Sequence, residues 1–590
     1  MVPLSLHGYS TSQYNALADA FLHLRLWIMR FPAAIIGPEP LNPAHLPSVL
    51  GAYGDDSLYH DHLYLSWGPA PVLVLLVPLH MLGYEPSASV IMAPFAIAGL
   101  GFALITLRIV LRVIGGVSMW IIVLAALTLG CASVVPELLR ASEVYHEAIV
   151  GGYCFAMAGI WLAVSAVVDQ RASPMRLGLM SLCFGLAAGS RPTLGLTVLI
   201  LVPVYWALKA RRSRLGLFLS LAAPVGICFL LLAVYNYARY GDPLEIGTLY
   251  QIGDPVPFYL GEVSFLPIGM WGYMLTPPRL SALFPFLSVV GPHLSYPLKL
   301  PVHYEPIPSP TGGLLPTTPI AIFVLGLPIV HRRRPELLGA LGSLLIAMVI
   351  AGLGILLFLA YEFPTSAERY EADYATLFVF GAVVVWLALS ARACDRRRMV
   401  IRVGGGVLAI WGCVTGLAIA CNGLENHQST WRTLSMLGSP LSTAIATVVG
   451  HPILARVDAP GAGSIPEEYG LGTDISNFWL SPGSVAYLTV ISPDSRSVMV
   501  EAEMEPGAAL SANTNLEAQL SGPGVASHIY RVPAQGGYVR ITAHLKRGIN
   551  QLALRPLNVA KNRGRMVVSS TESEQGIPLM VISKMHIAGS

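Results

Sequence analysis

Apolar stretches without a charged residue follow one another along the first 424 residues, separated by short polar segments. Crossing a bilayer core of about 30 Å takes about 20 residues of α-helix. The runs that reach or approach this length are 63–83, 87–107, 117–136, 148–168, 177–190, 192–208, 215–238, 306–330, 337–361, 374–391 and 403–424. The pattern predicts an α-helical polytopic membrane protein with about 10–12 transmembrane helices.

Basic residues cluster at alternate ends of these runs. The clusters are Lys209, Arg211, Arg212 and Arg214; Arg332, Arg333 and Arg334; and Arg392, Arg396, Arg397, Arg398 and Arg402. Short loops rich in Lys and Arg stay cytoplasmic. The sequence therefore predicts which parts of the chain face the other side of the membrane. They are 137–147, Arg191, 239–316 (a large outer loop), 362–373 and everything after 424.

The N-terminal part allows two readings. Residues 1–62 are predicted to be a first outer loop with amphipathic helices, and the run 63–83 contains Pro69, Pro71, Pro78 and His80. If this run spans the membrane fully, residues 1–62 are cytoplasmic. If it only dips in, they lie outside, and we expect a first membrane helix to be missing from the sequence.

The C-terminal part differs from the rest in composition and in the period of its hydrophobic pattern. Residues 425–454 are predicted to form a surface helix or linker. Residues 455–590 are rich in Gly, Pro and Ser, with period-two alternation in runs such as 485–490 and 538–543. This favours an extracytoplasmic antiparallel β-sandwich, jelly-roll-like. Trp479 and Tyr530 are candidates for stacking on sugar rings, but packing over the helices is the favoured role of this domain.

Composition narrows the class of protein. Only 12% of residues are charged and 54% are hydrophobic, whereas soluble domains carry about 25% charge. The small net charge of +3 comes from cytoplasmic loops and gives no reason to expect nucleic acid. All seven cysteines lie in or beside apolar runs, without metal-type spacing, and are predicted to be inert.

Polar side chains recur in the segments predicted to face outward: 54–71, 143–154, 189–193, 235–243 and 368–374. Arginine and tyrosine at helix ends also snorkel to headgroups, and carboxylates also cap helices, so each group alone has a structural explanation. Together they offer carboxylates that can deprotonate a hydroxyl and arginines that can hold a phosphate. That pairing suits the transfer of a sugar from a lipid-linked phosphate to a hydroxyl.

Several stretches carry a family resemblance: 12–21, 64–71, 147–155, 189–193, 235–247 and Arg369-Tyr370. In order and spacing they resemble the GT-C superfamily of polytopic glycosyltransferases, which use polyprenyl-phosphate sugars. More narrowly, the chain is similar to the dolichyl-phosphate-mannose mannosyltransferase-like and lipopolysaccharide-core glycosyltransferase families.

The resemblance implies roles for particular residues. Glu147 and Glu143 resemble the acidic group of the family's second outer loop and are catalytic candidates. In the first outer loop Ser10, Thr11 and Ser12 stand where the family has an acid, so Asp56, Asp55 or Asp19 would have to substitute for it as the catalytic base. The donor-phosphate candidates are Arg191, Arg369, Tyr370 and Arg239. The substrate-binding candidates are His146, Tyr64 and Asn236. Independently of the resemblance, Asp55, Asp56, His60, Asp61 and His62 are candidate ligands for a divalent cation such as Mg²⁺ or Mn²⁺, although a solvated turn is the favoured interpretation of this segment.

The expected function is therefore a glycosyltransferase of the bacterial inner membrane. It would move a sugar, with inversion, from a polyprenyl-phosphate donor to an extracytoplasmic glycan, lipid or protein, in contact with membrane lipids. The alternatives are an oligosaccharide ligase or polymerase using pyrophosphate-linked glycans, a lipid or glycan transporter, and a homologue that binds donor without turnover.

Overall fold

A computed structural model gives the architecture. It describes residues 13–30, 56–132, 135–139, 144–170, 173–209, 213–252, 261–288, 299–304, 312–333, 335–363, 365–392, 395–421, 428–458, 467–468, 474–480, 485–506, 515–522, 525–532, 537–559 and 580–589. The chain divides into two compact units. The first comprises Met1–Pro278 and Val289–Ala420, and the second comprises Arg279–Ser288 and Cys421–Ser590.

The first unit is mainly helical. Its helices are, in chain order, α1 (Gln13–Leu22), α2 (Val72–Met81), α3 (Ala88–Ile114), α4 (Met119–Cys131), α5 (Val135–Leu138), α6 (Val144–Asp169), α7 (Pro174–Ser190), α8 (Pro192–Leu208), α9 (Arg214–Tyr240), α10 (Phe265–Leu275), α11 (Leu314–Thr317), α12 (Leu327–Arg333, after the 3-10 helix Pro319–Gly326), α13 (Pro335–Glu362), α14 (Glu371–Arg392) and α15 (Asp395–Cys421). Short 3-10 turns lie at Thr248–Tyr250 and Glu368–Tyr370.

Six of the described helices are long and apolar enough to cross a membrane: α3, α6, α9, α13, α14 and α15. Other predicted runs form shorter apolar helices, including Met119–Cys131, Pro192–Leu208 and the 14-residue stretch Pro319–Arg332. The predicted fold class, a multi-pass helical membrane protein with a β-rich C-terminal part, is confirmed. The count of about 10–12 full spans is higher than the number of long helices seen in the described residues.

Two of these helices lie in the middle of the bundle. In α6, 94% of the apolar window is buried against other parts of the protein, and in α14 the value is 89%, whereas in α9 it is 17%. A helix surrounded by other helices loses its contact with lipid. The N-terminal ends of α6 and α14 are therefore enclosed by protein, and α9 lies at the periphery.

The run 63–83 is not a full span. It begins in β3 (His62–Leu65), which pairs with both β1 (Met29–Arg30) and β2 (Asp56–Tyr59), and its helix covers only Val72–Met81. Ten residues at 1.5 Å each reach about 15 Å, half the thickness of a bilayer core. The helix packs against α1, where His80 Nε2 and Asn15 Oδ1 are 3.0 Å apart. The helix of this run is thus about half as long as a full span, and the side of the membrane on which residues 1–62 lie stays a prediction.

The second unit holds the hairpin β4 (Arg279–Leu280) and β5 (Leu287–Ser288), the helix α16 (Gln428–Val449) and ten strands. The strands are β6 (Ile453–Asp458), β7 (Glu467–Glu468), β8 (Asp474–Leu480), β9 (Ala486–Ser492), β10 (Arg496–Pro506), β11 (Asn515–Gly522), β12 (Val525–Arg531), β13 (Gly537–Leu545), β14 (Gly548–Val559) and β15 (Met580–Gly589).

These ten strands form two antiparallel sheets, in the orders β13-β10-β15-β8 and β12-β11-β14-β9-β6-β7. In β9, Ala486, Leu488 and Val490 are buried and alternate with partly exposed Tyr487 and Thr489. This is the period-two pattern on which the β prediction rested. The side chains of Trp479 and Tyr530 lie outside the described residues, so their stacking role stays a prediction.

Candidate functional site

Aromatic and basic side chains from four distant segments meet at the N-terminal ends of α6 and α14. The guanidinium of Arg191 lies over the ring of Trp67 at 5.4 Å and over the ring of Tyr370 at 5.3 Å. The guanidinium of Arg369 lies over Tyr145 at 4.4 Å and over Tyr370 at 5.2 Å. Tyr145 and Trp67 themselves have ring centroids 5.7 Å apart. We call these five residues the arginine–aromatic cluster.

Arg191 is bound to a carboxylate inside this cluster. Its Nε and Nη2 donate to Asp373 Oδ2 at 3.2 and 3.0 Å, and Thr193 Oγ1 donates to the same oxygen at 2.7 Å. Arg191 is 5% exposed and Asp373 is 1% exposed. The two charges therefore compensate each other in a site that water scarcely reaches.

The local sequence explains why Arg191 lies where it does. Proline disfavours the helical conformation of the residue before it, and Arg191, which precedes Pro192, is extended with φ −140° and ψ 111°. Helix α7 therefore ends and α8 begins at this residue. A Cβ on Gly152 would come within 3.3 Å of Arg191 Cγ. The glycine thus lets the start of α6 lie directly against the arginine.

The approach of the 66–71 segment also depends on a glycine. A Cβ on Gly68 would clash with the backbone carbonyl oxygens of Gly189 and Ser190, and a Cβ on Gly151 would meet Pro71 Cγ at 2.7 Å. Close backbone contact is a common use of glycine. These contacts fix Trp67 beside the end of α7 and the first turns of α6.

Glu147 lies on the first turn of α6 and is 1% exposed, and His146 beside it is 3% exposed. Tyr14 on α1 is fully buried, and its hydroxyl donates to the carbonyl oxygen of Gly68 at 3.1 Å. Burial raises the pKa of Tyr14 well above its usual value; the charge of Glu147 adds to the rise, and Arg191 opposes it. Glu147 follows Tyr145, a member of the arginine–aromatic cluster, by two residues on the first turn of α6.

A second group, the Arg239 cluster, consists of Arg239, Asn236, Tyr235, Tyr240 and Tyr64. Arg239 Nη1 donates to the carbonyl oxygen of Leu65 at 2.8 Å, and Nη2 donates to Asn236 Oδ1 at 2.8 Å. Its guanidinium lies 4.0 Å from the ring centre of Tyr235 and 4.7 Å from that of Tyr240.

Both of these hydrogen bonds of Arg239 go to neutral acceptors, and the side chain is 4% exposed. Tyr64 packs on Tyr240 with ring centroids 5.4 Å apart, and burial raises the pKa of Tyr64 although Arg239 lowers it.

Asp56 belongs to the Arg239 side. It is fully buried at the start of β2 and pairs across the hairpin with Leu65, whose carbonyl oxygen accepts from Arg239. The next residue, Ser57, donates to the carbonyl oxygen of Gly247 at 2.6 Å. The hairpin therefore connects Asp56 to the segment after α9.

The structure separates the remaining candidates. Asp19 lies on the exposed face of α1, where it pairs with Arg25 and His23 at 3.3 Å each, and it is not brought to either cluster. Glu143 and Asp55 lie outside the described residues. Of the other candidates, Glu147, His146, Arg191, Arg369 and Tyr370 form one group, and Asp56, Tyr64, Asn236 and Arg239 form the other.

Sequence reasoning did not assign roles to Asp373, Trp67 or Tyr145. Asp373 lies one helical turn after Arg369 and Tyr145 lies two residues before Glu147. Their neighbourhood in the sequence was the signal that could have pointed to them. Their pairing with Arg191 and Arg369 depends on tertiary contacts, which spacing does not reveal.

Four of the predicted metal ligands, Asp56, His60, Asp61 and His62, belong to the described residues. No three His, Cys, Asp or Glu side chains among them come together as ligands. Asp61, one of the predicted ligands, instead accepts from Arg30 Nε at 2.6 Å. The divalent cation stays an untested prediction.

Comparison with known proteins gives little. No protein-family model matches the chain, and no curated protein matches it. Among solved structures, it is similar to the arabinosyltransferase EmbB from Mycobacterium smegmatis, determined by cryo-EM, with 12% sequence identity and a TM-score of 0.32. The match covers 98% of this chain but 63% of EmbB, so the chain spans less than two thirds of the length of that protein.

Proposed function

We propose that the protein is a membrane glycosyltransferase that moves a sugar from a polyprenyl-phosphate donor to a hydroxyl of an extracytoplasmic glycan, lipid or protein. One observation carries the proposal. Two arginines, Arg191 and Arg369, converge with aromatic rings at the N-terminal ends of the two innermost helices, and the buried carboxylate of Glu147 lies on the first turn of one of them. The bacterial inner membrane is the proposed location.

The proposed reaction uses these groups in distinct roles. Glu147 takes the proton of the acceptor hydroxyl, and the oxygen attacks the anomeric carbon in line. The bond from that carbon to the phosphate oxygen breaks, the phosphate leaves with the electron pair, and the anomeric configuration inverts. Arg369 stabilises the charge that develops on the phosphate.

Arg191 has a different part in the proposal. Its fork already binds Asp373 through two nitrogens, so much of its charge is compensated within the protein. Its stacking on Tyr370 and Trp67 holds these two rings of the arginine–aromatic cluster in place. We therefore propose Arg191 as a positioning residue for the phosphate site, with Tyr370 as the shared ring between the two arginines.

Arg239 is proposed as a second donor-phosphate contact. Within the described part of the chain, its hydrogen bonds go to the neutral oxygens of Leu65 and Asn236. A buried guanidinium gains strongly from an anion, because burial of an uncompensated charge is costly. Tyr64 and Asn236 lie beside it and are proposed to contact the substrate.

The test is transfer by purified protein in vesicles supplied with a panel of radiolabelled polyprenyl-phosphate sugars and acceptor lipids. Glu147→Gln should lower the transfer rate by about 10²–10⁴-fold, the usual contribution of a general base. Arg369→Ala should lower it by about 10²-fold or more, as loss of one preorganised donor does. Arg540→Ala, in an exposed ion pair on β13 with Glu501, is the control and should transfer at the wild-type rate.

Other results would point to the alternatives. Transfer only from pyrophosphate-linked glycans would identify a ligase or polymerase. Donor binding without transfer in the wild type would identify an inactive homologue. Wild-type rates in both Glu147→Gln and Arg369→Ala would reject the proposed site.

A further inference from the structure

The second unit contains an apolar cavity of about 370 Å³ beside α16. The hairpin 279–288 forms one wall, with Leu280 and Phe286, and α16 forms the other, with Leu441, Ile445 and Val448. The hydroxyl of Ser281, the polar side chain of the hairpin wall, already accepts from the backbone N–H of Leu283 at 3.1 Å. The cavity thus offers a surface for hydrocarbon and little for a polar ligand.

The helix α16 is apolar on two sides. One side packs into the core of this unit, where Ala446 is buried with Ile453 and Ile491. Next to the cavity, Val448 is 88% exposed and Leu441 is 51% exposed. A surface helix of a soluble domain has charged or polar residues on its outer face, yet the chain carries no Asp, Glu, Lys or Arg between Arg432 and Arg456.

The hairpin wall of the cavity also has an exposed apolar side chain. Leu280 on the hairpin is 60% exposed at the mouth of the cavity. Contiguous exposed apolar surface usually marks an interaction site. The patch formed by Leu280, Leu441 and Val448, which we call the apolar rim, therefore calls for a partner that is itself apolar.

Chain connectivity favours the membrane as that partner. Helix α15, one of the six helices able to cross a bilayer, ends at Cys421, and α16 begins at Gln428. Seven residue steps reach at most about 25 Å. The start of α16 is thus tethered to the end of a membrane-crossing helix, whatever path residues 422–427 take.

We propose that the apolar rim inserts among the acyl chains of bilayer phospholipids and anchors the second unit to the membrane surface. Interfacial helices enter the headgroup and acyl boundary by about 5–10 Å. Insertion to this depth covers Val448 and Leu441 and brings acyl chains to the mouth of the cavity. The anchor does not depend on sugar transfer and would hold for any function of the helical unit.

The test uses the full chain in phosphatidylcholine vesicles, with a fluorescent amino acid introduced genetically at position 448. A second preparation carries it at position 538, because Tyr538 is 64% exposed on β13 in the same unit. Lipids brominated on the acyl chains quench nearby fluorophores. We expect quenching at 448 to be at least about twofold stronger than at 538, since bromine then lies at the depth of an interfacial helix.

A label at position 280 repeats the measurement if the protein labelled at 448 fails to fold, as judged by gel filtration. Equal quenching at the rim and at 538 would overturn the proposal. A rim label that neither brominated lipid nor aqueous iodide can reach would also overturn it, because a second copy or another protein would then cover the rim.

Discussion

The buried pair of Arg191 and Asp373 permits a sharp prediction about stability. Asp373→Ala removes an oxygen that accepts three hydrogen bonds, two from Arg191 and one from Thr193. It leaves a guanidinium that is 5% exposed without its carboxylate. Loss of one partner of a buried ion pair costs about 3–5 kcal/mol, and we expect the free energy of unfolding to fall by that amount.

Two further variants separate charge from packing. Asp373→Asn keeps the volume and one acceptor oxygen, so we expect a smaller loss of about 1.5–3 kcal/mol, the range for a hydrogen bond to a charged group. The double variant Arg191→Met, Asp373→Leu removes both charges. It should regain most of the stability, to within about 1–2 kcal/mol of the wild type, because apolar replacement of a buried pair is often neutral.

The assay is unfolding by sodium dodecyl sulfate added to dodecyl maltoside micelles, followed by tryptophan fluorescence, to which Trp67 contributes from above the guanidinium. A loss below about 1 kcal/mol in Asp373→Ala, typical of an exposed pair, would refute the reasoning. So would a double variant as unstable as the single one. Transfer activity should stay low in the double variant if Arg191 positions the phosphate site.

Two more predictions concern packing and pH. Gly68→Ala should lower the free energy of unfolding by about 1–3 kcal/mol in the same assay, because the new methyl group overpacks against the backbone of Gly189. Gly101→Ala is the control: its new methyl group meets nothing within 4 Å, so the free energy of unfolding should stay the same or rise. The hydrogen bond from Arg30 lowers the pKa of Asp61 below its usual 3.8, so the pair stabilises the fold above that pH and the effect is lost as the pH falls through the lowered value. Arg30→Ala should therefore be less stable than the wild type at pH 7, and a difference that stayed constant below pH 3.8 would contradict this assignment.

The helical part was largely predictable, because long uncharged runs have few alternatives in a membrane. The sequence also separated the runs 177–190 and 192–208, and the proline at 192 explains the break between them, because proline disfavours the helical conformation of the preceding residue. Hydropathy did not show that the helix in the 63–83 segment is only about half as long as a full span. The first residues of the segment form a strand through pairing with β1 and β2, a contact that depends on residues elsewhere in the chain.

The candidate site could be predicted only in part. Glu147, Arg191 and Arg369 were selected by residue type within the segments predicted to face outward and by the family resemblance. The division into two clusters, and the compensation of Arg191 by Asp373 across 182 residues, come from tertiary packing. Asp19, in contrast, was chosen by residue type and does not belong to either cluster. Its carboxylate lies on an exposed helix face and pairs with Arg25 and His23, which follow within six residues.

The hairpin 279–288 has a consequence for how the second unit is made. Ala282 and Leu283, from the middle of the chain, share a core with Ala446, Ile453 and Ile491. Ribosomes synthesise the hairpin more than 130 residues before the start of α16, so its apolar side chains must wait for the rest of their core. A fragment that begins at Cys421 would be missing two of its own interior residues, and the boundary of this folding unit cannot be drawn at a single peptide bond.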